Sequence, residues 1–362
     1  MEYPKELGAA ASPSLLKRAY PLLRVLFQLT LAGGLLTALL LSVDRAAVRE
    51  QIGQADLIWL PLAFAANIGS DWFRAIRWQH LMSPLRRLGV PFLFWTALLG
   101  VTINIVLPFR MGEVVRVQLV RRRSGLSASS IVATIVSEKL ADVVVFSTFI
   151  VVGFLLYREA TFLWPLAVAY GVLLLAAALG ARYLLSRVMR RPARPGRAER
   201  GRLRSWIRRE ASGFTDGLQA LRRPTALFHI AWSAHAAWLL EATMYYAFGR
   251  ALGLDISPGV YLLVVVAAAV AFSVPVTLAG LGVFEVAIVG LLVAFGVNEA
   301  EAVAYAIFAH IFFALPYIVS GPIAAFALRL NVSDILFLRR LTGDREHGAG
   351  LTATAEEPAA GR

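Results

Sequence analysis

Glu138, Lys139 and Asp142 stand where charge is least expected. Ile131–Val136 precedes them and Val143–Tyr157 follows, and both flanks are apolar. A charge at the centre of a bilayer costs about 2.5–3.5 kcal/mol or more, so charges kept inside an apolar run need partners or a wet cavity. Glu138 and Asp142 are four residues apart and share one helix face. Two such carboxylates repel unless a cation lies between them. They are candidates for a substrate or proton site, and equally for ion contacts between helices.

Two further stretches break apolar runs in a similar way. The first reads Asn104-Ile-Val-Leu-Pro108-Phe-Arg110-Met-Gly112-Glu113. The second reads Ser273-Val-Pro275-Val-Thr-Leu-Ala-Gly280-Leu-Gly282-Val-Phe-Glu285. Each has an apolar arm, a proline, a glycine turn, a glutamate and a second arm. Glu113 and Glu285 follow the turns, where the positive end of a helix dipole stabilises a carboxylate. Arg110 and Arg116 flank Glu113 and can pair with it, with acids on another helix, or with a lipid phosphate through guanidinium forks. Asn104 offers an amide to the same place. His310 and Glu241 also interrupt apolar sequence, where a lone histidine more often packs than binds. No HExxH, paired carboxylate motif, P-loop or GxGxxG is present, so no metal, nucleotide or other cofactor is expected.

The elements that must hold these residues follow from composition. The chain of 362 residues is 58% hydrophobic and 16% charged, against about 25% charged in a soluble domain. Uncharged runs recur at Val25–Val43, Leu88–Phe109, Ala160–Ala181, Ile256–Phe284 and Ala302–Leu328. Each is long enough for a membrane span, and backbone amides in hydrocarbon must pair within the segment, which makes the spans helices. The expected class is an all-α polytopic membrane protein, with about six to eight transmembrane helices and one or two re-entrant Pro/Gly hairpins. There is no cysteine, which excludes disulfides and thiolate metal sites. The apolar run after Lys17, Arg18 and Arg24 is too long for a signal h-region and is expected to be a retained first helix.

Basic residues set the orientation. Thirteen arginines and three acids lie between Arg182 and Arg223, so this segment carries +10 of the net charge of +13. Beside apolar spans, that excess marks a cytoplasmic loop rather than a nucleic-acid site. Both termini are then expected in the cytoplasm, with residues 1–20 and 336–362 as tails, 21–335 as the membrane domain and 186–223 as its Arg-rich loop. Leu203–Leu221 fits an amphipathic surface helix as well as a solvated basic loop. Asp44–Asp56 is expected as an external loop. The helix over Leu57–Phe73 is expected to end at a headgroup boundary marked by Trp72, Phe73, Arg74, Arg77 and Trp78. The run Val90–Pro108 has basic residues at both ends, which favours a hairpin entering and leaving on the cytoplasmic side. Residues 259–295 form either two crossings or a hairpin from outside. Opposite approaches of the two breaks fit an inverted repeat; Pro and Gly acting as mere helix punctuation fit the same sequence.

Taken together, Asn104-x3-Pro108-x-Arg110-x-Gly112-Glu113-x2-Arg116, Arg74-x2-Arg77-Trp78, Glu138-Lys139-x2-Asp142 and Gly280-x-Gly282-Val-Phe-Glu285 resemble the flippase-like family related to the membrane domain of lysylphosphatidylglycerol synthase. The resemblance covers roughly residues 20–335. It implies the movement or handling of a polar lipid in the cytoplasmic membrane, with lipids of polar or anionic headgroup, and a lipid-biosynthesis enzyme, as partners. Where many members carry arginine in the last helix, this chain has His310. No aminoacyltransferase domain accompanies the membrane part, so the chain is expected not to make lysylphosphatidylglycerol by itself. The expected headgroup site comprises Asn104, Arg110, Glu113, Arg116, Glu138, Asp142, Glu285 and His310, shaped by turns at Pro108, Gly112, Pro275, Gly280 and Gly282. Two rival functions remain at this point: a membrane-embedded transferase acting on polyprenyl or phospholipid substrates, and a non-catalytic partner that delivers lipid to such an enzyme.

Overall fold

The computed structural model describes residues 15–107, 111–156, 202–273 and 277–330. Among these residues the chain forms eleven α-helices and no strand. They are α1 (Leu15–Leu41), α2 (Arg45–Gly53), α3 (Leu60–Met82), α4 (Val90–Val106), α5 (Met111–Ser124), α6 (Ala128–Leu156), α7 (Arg202–Gly217), α8 (Pro224–Ala251), α9 (Pro258–Ser273), α10 (Val283–Ala294) and α11 (Glu299–Ala327). Several ends carry local signals. Asp44 accepts the N–H of Ala46 to start α2, and Asn298 accepts that of Ala300 to start α11. Each side chain satisfies one of the unpaired donors at a helix N-terminus. Pro61, Pro91 and Pro224 sit in the first turns of α3, α4 and α8, where the missing N–H costs nothing.

α6 and α11 are each 29 residues long and apolar enough to cross a bilayer; α1 and α2, bent by 95°, make a third span if taken together. α3 and α8 are also long, at 23 and 28 residues, but they carry buried charge. Large apolar side chains face outward on many helices, among them Phe27 on α1, Val144 on α6, Phe228 on α8 and Phe326 on α11. An apolar exterior of this extent fits a lipid solvent.

Two expectations need correction. Asp44–Asp56 is mostly helical, because Asp44 caps α2 there. α3 does not stop at Phe73 but runs to Met82, with Arg77 and Trp78 buried against other helices at 2% and 0% exposure. The Arg-rich segment does contain a helix, α7, which packs on α6. The expected span over Ala160–Ala181, residues 1–14 of the expected N-terminal tail and the whole expected C-terminal tail at 336–362 lie outside the described residues.

The packing explains where polar residues can survive. α3 lies along α8, α4 packs on α5 and α11, and α9 packs on α6, α8 and α10. Apolar side chains gather in two clusters. One is built around Tyr245, Phe248, Tyr261, Phe284, Tyr305 and Phe308; the other around Trp78, Leu81, Met82, Leu93, Val120 and Ile131. α3 contributes Ala63 and Ala66 to the first cluster and Ala75 and Trp78 to the second. Between them lie Asn67, Ser70, Asp71 and Arg74. α6 contributes Ile131 to one cluster and Val145 to the other, with Glu138 and Asp142 between them. The buried charges thus form a layer between two apolar bodies.

Candidate functional site

The two breaks meet at this layer. α4 and α5 form an antiparallel pair: Asn104 Oδ1 accepts the N–H of Gly112 at 2.8 Å, and the Arg116 side chain lies against Gly100. A Cβ on Gly112 would lie 1.9 Å from the Gly100 carbonyl oxygen, so only glycine permits this approach. At the second break, Ala279, Gly280 and Gly282 all take positive φ, and Gly282 sits against Leu35 and Ala32 of α1. The turn at Leu278–Gly280 packs against both α4 and α1. Asn104, Ile105 and Leu107 from the first break and Thr277, Ala279 and Gly280 from the second line one cavity of about 400 Å³. Ligand cavities commonly span about 300–1,000 Å³. Pro108, Arg110 and Pro275 lie outside the described residues.

Most of the expected charged residues converge there. Arg116 Nη1 donates to Glu113 at 3.1 Å and Nη2 to Glu138 at 2.9 Å, while the guanidinium lies 4.1 Å from the Trp78 ring centre. Asp142 accepts from Arg77 Nη1 at 2.6 Å and from Trp238 Nε1 at 2.7 Å, and Lys139 lies 3.7 Å from its other oxygen. Glu138 and Asp142 therefore do share a face. Their repulsion is relieved by separate arginines, one from α5 and one from α3, rather than by a single cation between them. Asn104 lines the cavity, but its carbonyl oxygen is engaged in holding α5.

Glu285 and His310 are placed elsewhere. His310 Nδ1 lies 2.6 Å from Glu285 Oε1, and Glu285 Oε2 accepts the N–H of Gly282 at 2.6 Å. Phe272 and Phe284 pack on the imidazole. The pair joins α10 to α11 and fixes the second turn. Neither residue lines the cavity.

Several polar cavity residues were not assigned to the site from the sequence. Arg74 pairs with Glu241, donates to Ser70 Oγ and lies 4.0 Å from the Trp238 ring centre. Asp71 and Tyr317 line the same wall, with Asn67 Nδ2 donating to the Tyr317 hydroxyl at 3.2 Å. The spacing of Asp71, Arg74 and Arg77 at three-residue intervals inside a long helix was the available signal. Nine charged side chains line the cavity, five carboxylates and four cations. Among the described residues, no three His, Asp or Glu side chains cluster as metal ligands. The arrangement is a paired, polar pocket that can exchange its internal ion pairs for contacts to a charged or hydroxylated group.

Comparison with known proteins identifies the chain's family. Glycosyltransferase AglD of Haloferax volcanii is 25% identical over 378 aligned positions, spanning 90% of this chain and 58% of that protein. The chain thus matches little more than half of that relative's length. The family model described as "Lysylphosphatidylglycerol synthase TM region" matches residues 25–321, a range that includes every cavity residue from Gln28 to Tyr317. The chain belongs to the family of the lysylphosphatidylglycerol synthase transmembrane region.

Proposed function

We propose that the protein translocates a polar lipid, or binds and transports it, in the cytoplasmic membrane, holding the headgroup in the charged cavity while the chains stay in the bilayer. The observation that carries this reading is the convergence of both helix breaks on one polar cavity inside an otherwise apolar helical body. Transporters often bind substrate where interrupted helices meet, and ionisable residues at membrane depth mark such pathways.

In this reading α4–α5 and α9–α10 are re-entrant hairpins within six to eight crossings. At 1.5 Å per residue, α4 is about 26 Å long and α10 about 18 Å, both short of the hydrocarbon core of about 30 Å. The Arg-rich segment and both termini face the cytoplasm, by the positive-inside rule. Arg116 takes an anionic headgroup, and Glu113, Glu138 and Asp142 balance its charge, accept a cationic group or carry a coupling proton.

The test is reconstitution into liposomes with labelled lipids. Wild type should move at least one candidate lipid faster than protein-free vesicles, and Glu113→Gln and Arg116→Ala should fall back towards the protein-free rate. If wild type and both variants match protein-free vesicles for every lipid tried, translocation is wrong.

A second reading is a membrane-embedded transferase on a polyprenyl or phospholipid substrate, or a lipid-delivering partner of one. The name of the Haloferax relative favours it. Product formation by the purified protein, dependent on a divalent metal, would select the transferase. Stable co-purification with a transferase, without activity alone, would select the partner.

A further inference from the structure

Three of the four cations on the cavity wall are held by well-formed contacts. Arg74 has Glu241, Ser70 and the Trp238 face; Arg77 has Asp142; Arg116 has Glu113, Glu138 and the Trp78 face. Lys139 differs. Its side chain is 57% exposed, against 3% for Arg77 and 11% for Arg116. Its ion pair is a long one, 3.7 Å to Asp142 Oδ2, and the other oxygen of Asp142 is already held by Arg77 and Trp238. An ammonium has three donors, so most of the capacity of Lys139 is turned outward.

Its position makes that exposure informative. Lys139 lies about 17 Å along α6 from Ala128, in a helix about 43 Å long. With α6 centred on a core of about 30 Å, Lys139 is at hydrocarbon depth. Val136, Leu140 and Val144, on the same helix, are exposed and form an apolar outer surface beside it. Val143 and Phe146 lead inward to the cavity. Lys139 therefore stands on the rim between the lipid-facing surface and the charged interior. A half-exposed ammonium in that place needs an anion, and its flexible stem can swing the charge towards one.

We propose that Lys139 is a phosphate-binding residue at a lateral mouth of the cavity, where it holds the phosphate of a bilayer lipid whose chains lie against the outer face of α6. The inference rests on the lipid-handling reading above and adds the side chain that meets the headgroup and the route by which the lipid enters. Arginine serves the same role at this position, and glutamine, of similar length but uncharged, does not.

The experiment compares wild type, K139Q and K139R in detergent, after size-exclusion chromatography has shown that each is folded. Three probes are used: phosphatidylglycerol, the diacylglycerol with the same chains, and glycerol 3-phosphate. Bound probe is counted by mass spectrometry, and the melting temperature is followed by intrinsic fluorescence. Wild type and K139R should retain phosphatidylglycerol and be stabilised by it, K139Q should retain at least tenfold less, and the other two probes should not bind. Equal retention by K139Q, or equal binding of diacylglycerol, overturns the role of Lys139 while leaving lipid handling intact. Binding of glycerol 3-phosphate as tight as that of the lipid overturns the bilayer source. Failure of wild type to bind any probe overturns the inference, and absence of lipid movement in the liposome assay then removes the function beneath it.

Discussion

Removing the Asp142 carboxylate should destabilise the protein more than removing the whole ion pair. Asp142 and Arg77 are 4% and 2% exposed, on helices 65 residues apart in sequence. Arg77 Nε has no hydrogen-bond partner, so Asp142 is its ion pair and its main polar contact. Asp142→Ala leaves a guanidinium buried between apolar clusters, a cost of about 3–5 kcal/mol for breaking one side of a buried pair. It also frees Trp238 Nε1, at about 1–3 kcal/mol for an unmet buried donor. Arg77→Met combined with Asp142→Leu strands no buried charge, Lys139 being half-exposed, and leaves the Trp238 donor alone, so its cost should be about 1–3 kcal/mol. Asp142→Asn keeps an acceptor for Trp238 and should fall between the two. The assay is reversible unfolding in mixed detergent micelles, followed by the fluorescence of the eight tryptophans. If the double variant is as unstable as Asp142→Ala, the stranded-charge reasoning is refuted.

Three further outcomes test the site's construction. Gly112→Ala should cost about 3 kcal/mol or more, because its Cβ meets the rigid Gly100 carbonyl rather than a movable side chain; Gly290→Ala, with open space around it, is the control, and thermal melting compares them. Arg116→Lys should lower lipid retention and stability, by about 1.5–3 kcal/mol, because one ammonium cannot bridge Glu113 and Glu138 while lying on Trp78. Glu285→Gln should be milder than Glu285→Ala, since glutamine still accepts from Gly282, and neither should reduce lipid retention per folded molecule if Glu285 serves the fold alone; a specific loss of retention at normal stability would return it to the binding site.

What could be read from the sequence was whatever a single helix expresses. The expected span at Ala302–Leu328 matches α11 to within three residues at each end, because long apolar periodicity and end signals are local. The breaks at Pro108–Gly112 and Pro275–Gly282 were equally local. Their meeting was expected, but the partners were not legible. Arg77 pairs with Asp142 and Arg74 with Glu241, across 65 and 167 residues, and no spacing rule links positions on different helices. Arginine next to tryptophan is common at a membrane boundary, and nothing local to that stretch names the helix partners of Arg74 and Arg77. Glu285 and His310 each put an ionisable group in an apolar run, and their mutual contact across 25 residues was equally hidden.

These pairs separate into charges that hold the fold and charges that stability alone does not explain. Replacing a buried ion pair by well-packed apolar residues is often neutral or stabilising, and in a bilayer the incentive to do so is stronger. Glu285 and His310 have a structural return, because Glu285 also fixes the N–H of Gly282 at a strained turn. The nine cavity charges join helices but fix no strained backbone turn of this kind. Arg77 and Arg116 each leave Nε without a partner, and Thr277 leaves its hydroxyl so. A network built only to join helices would be expected to meet these donors or dispense with them. A network that must open its own pairs to admit a headgroup keeps spare donors and a cavity beside them. The argument has a measurable edge: variants that neutralise whole cavity pairs, such as Arg77→Met with Asp142→Leu, should stay folded and lose lipid movement, whereas a purely structural network would lose both together.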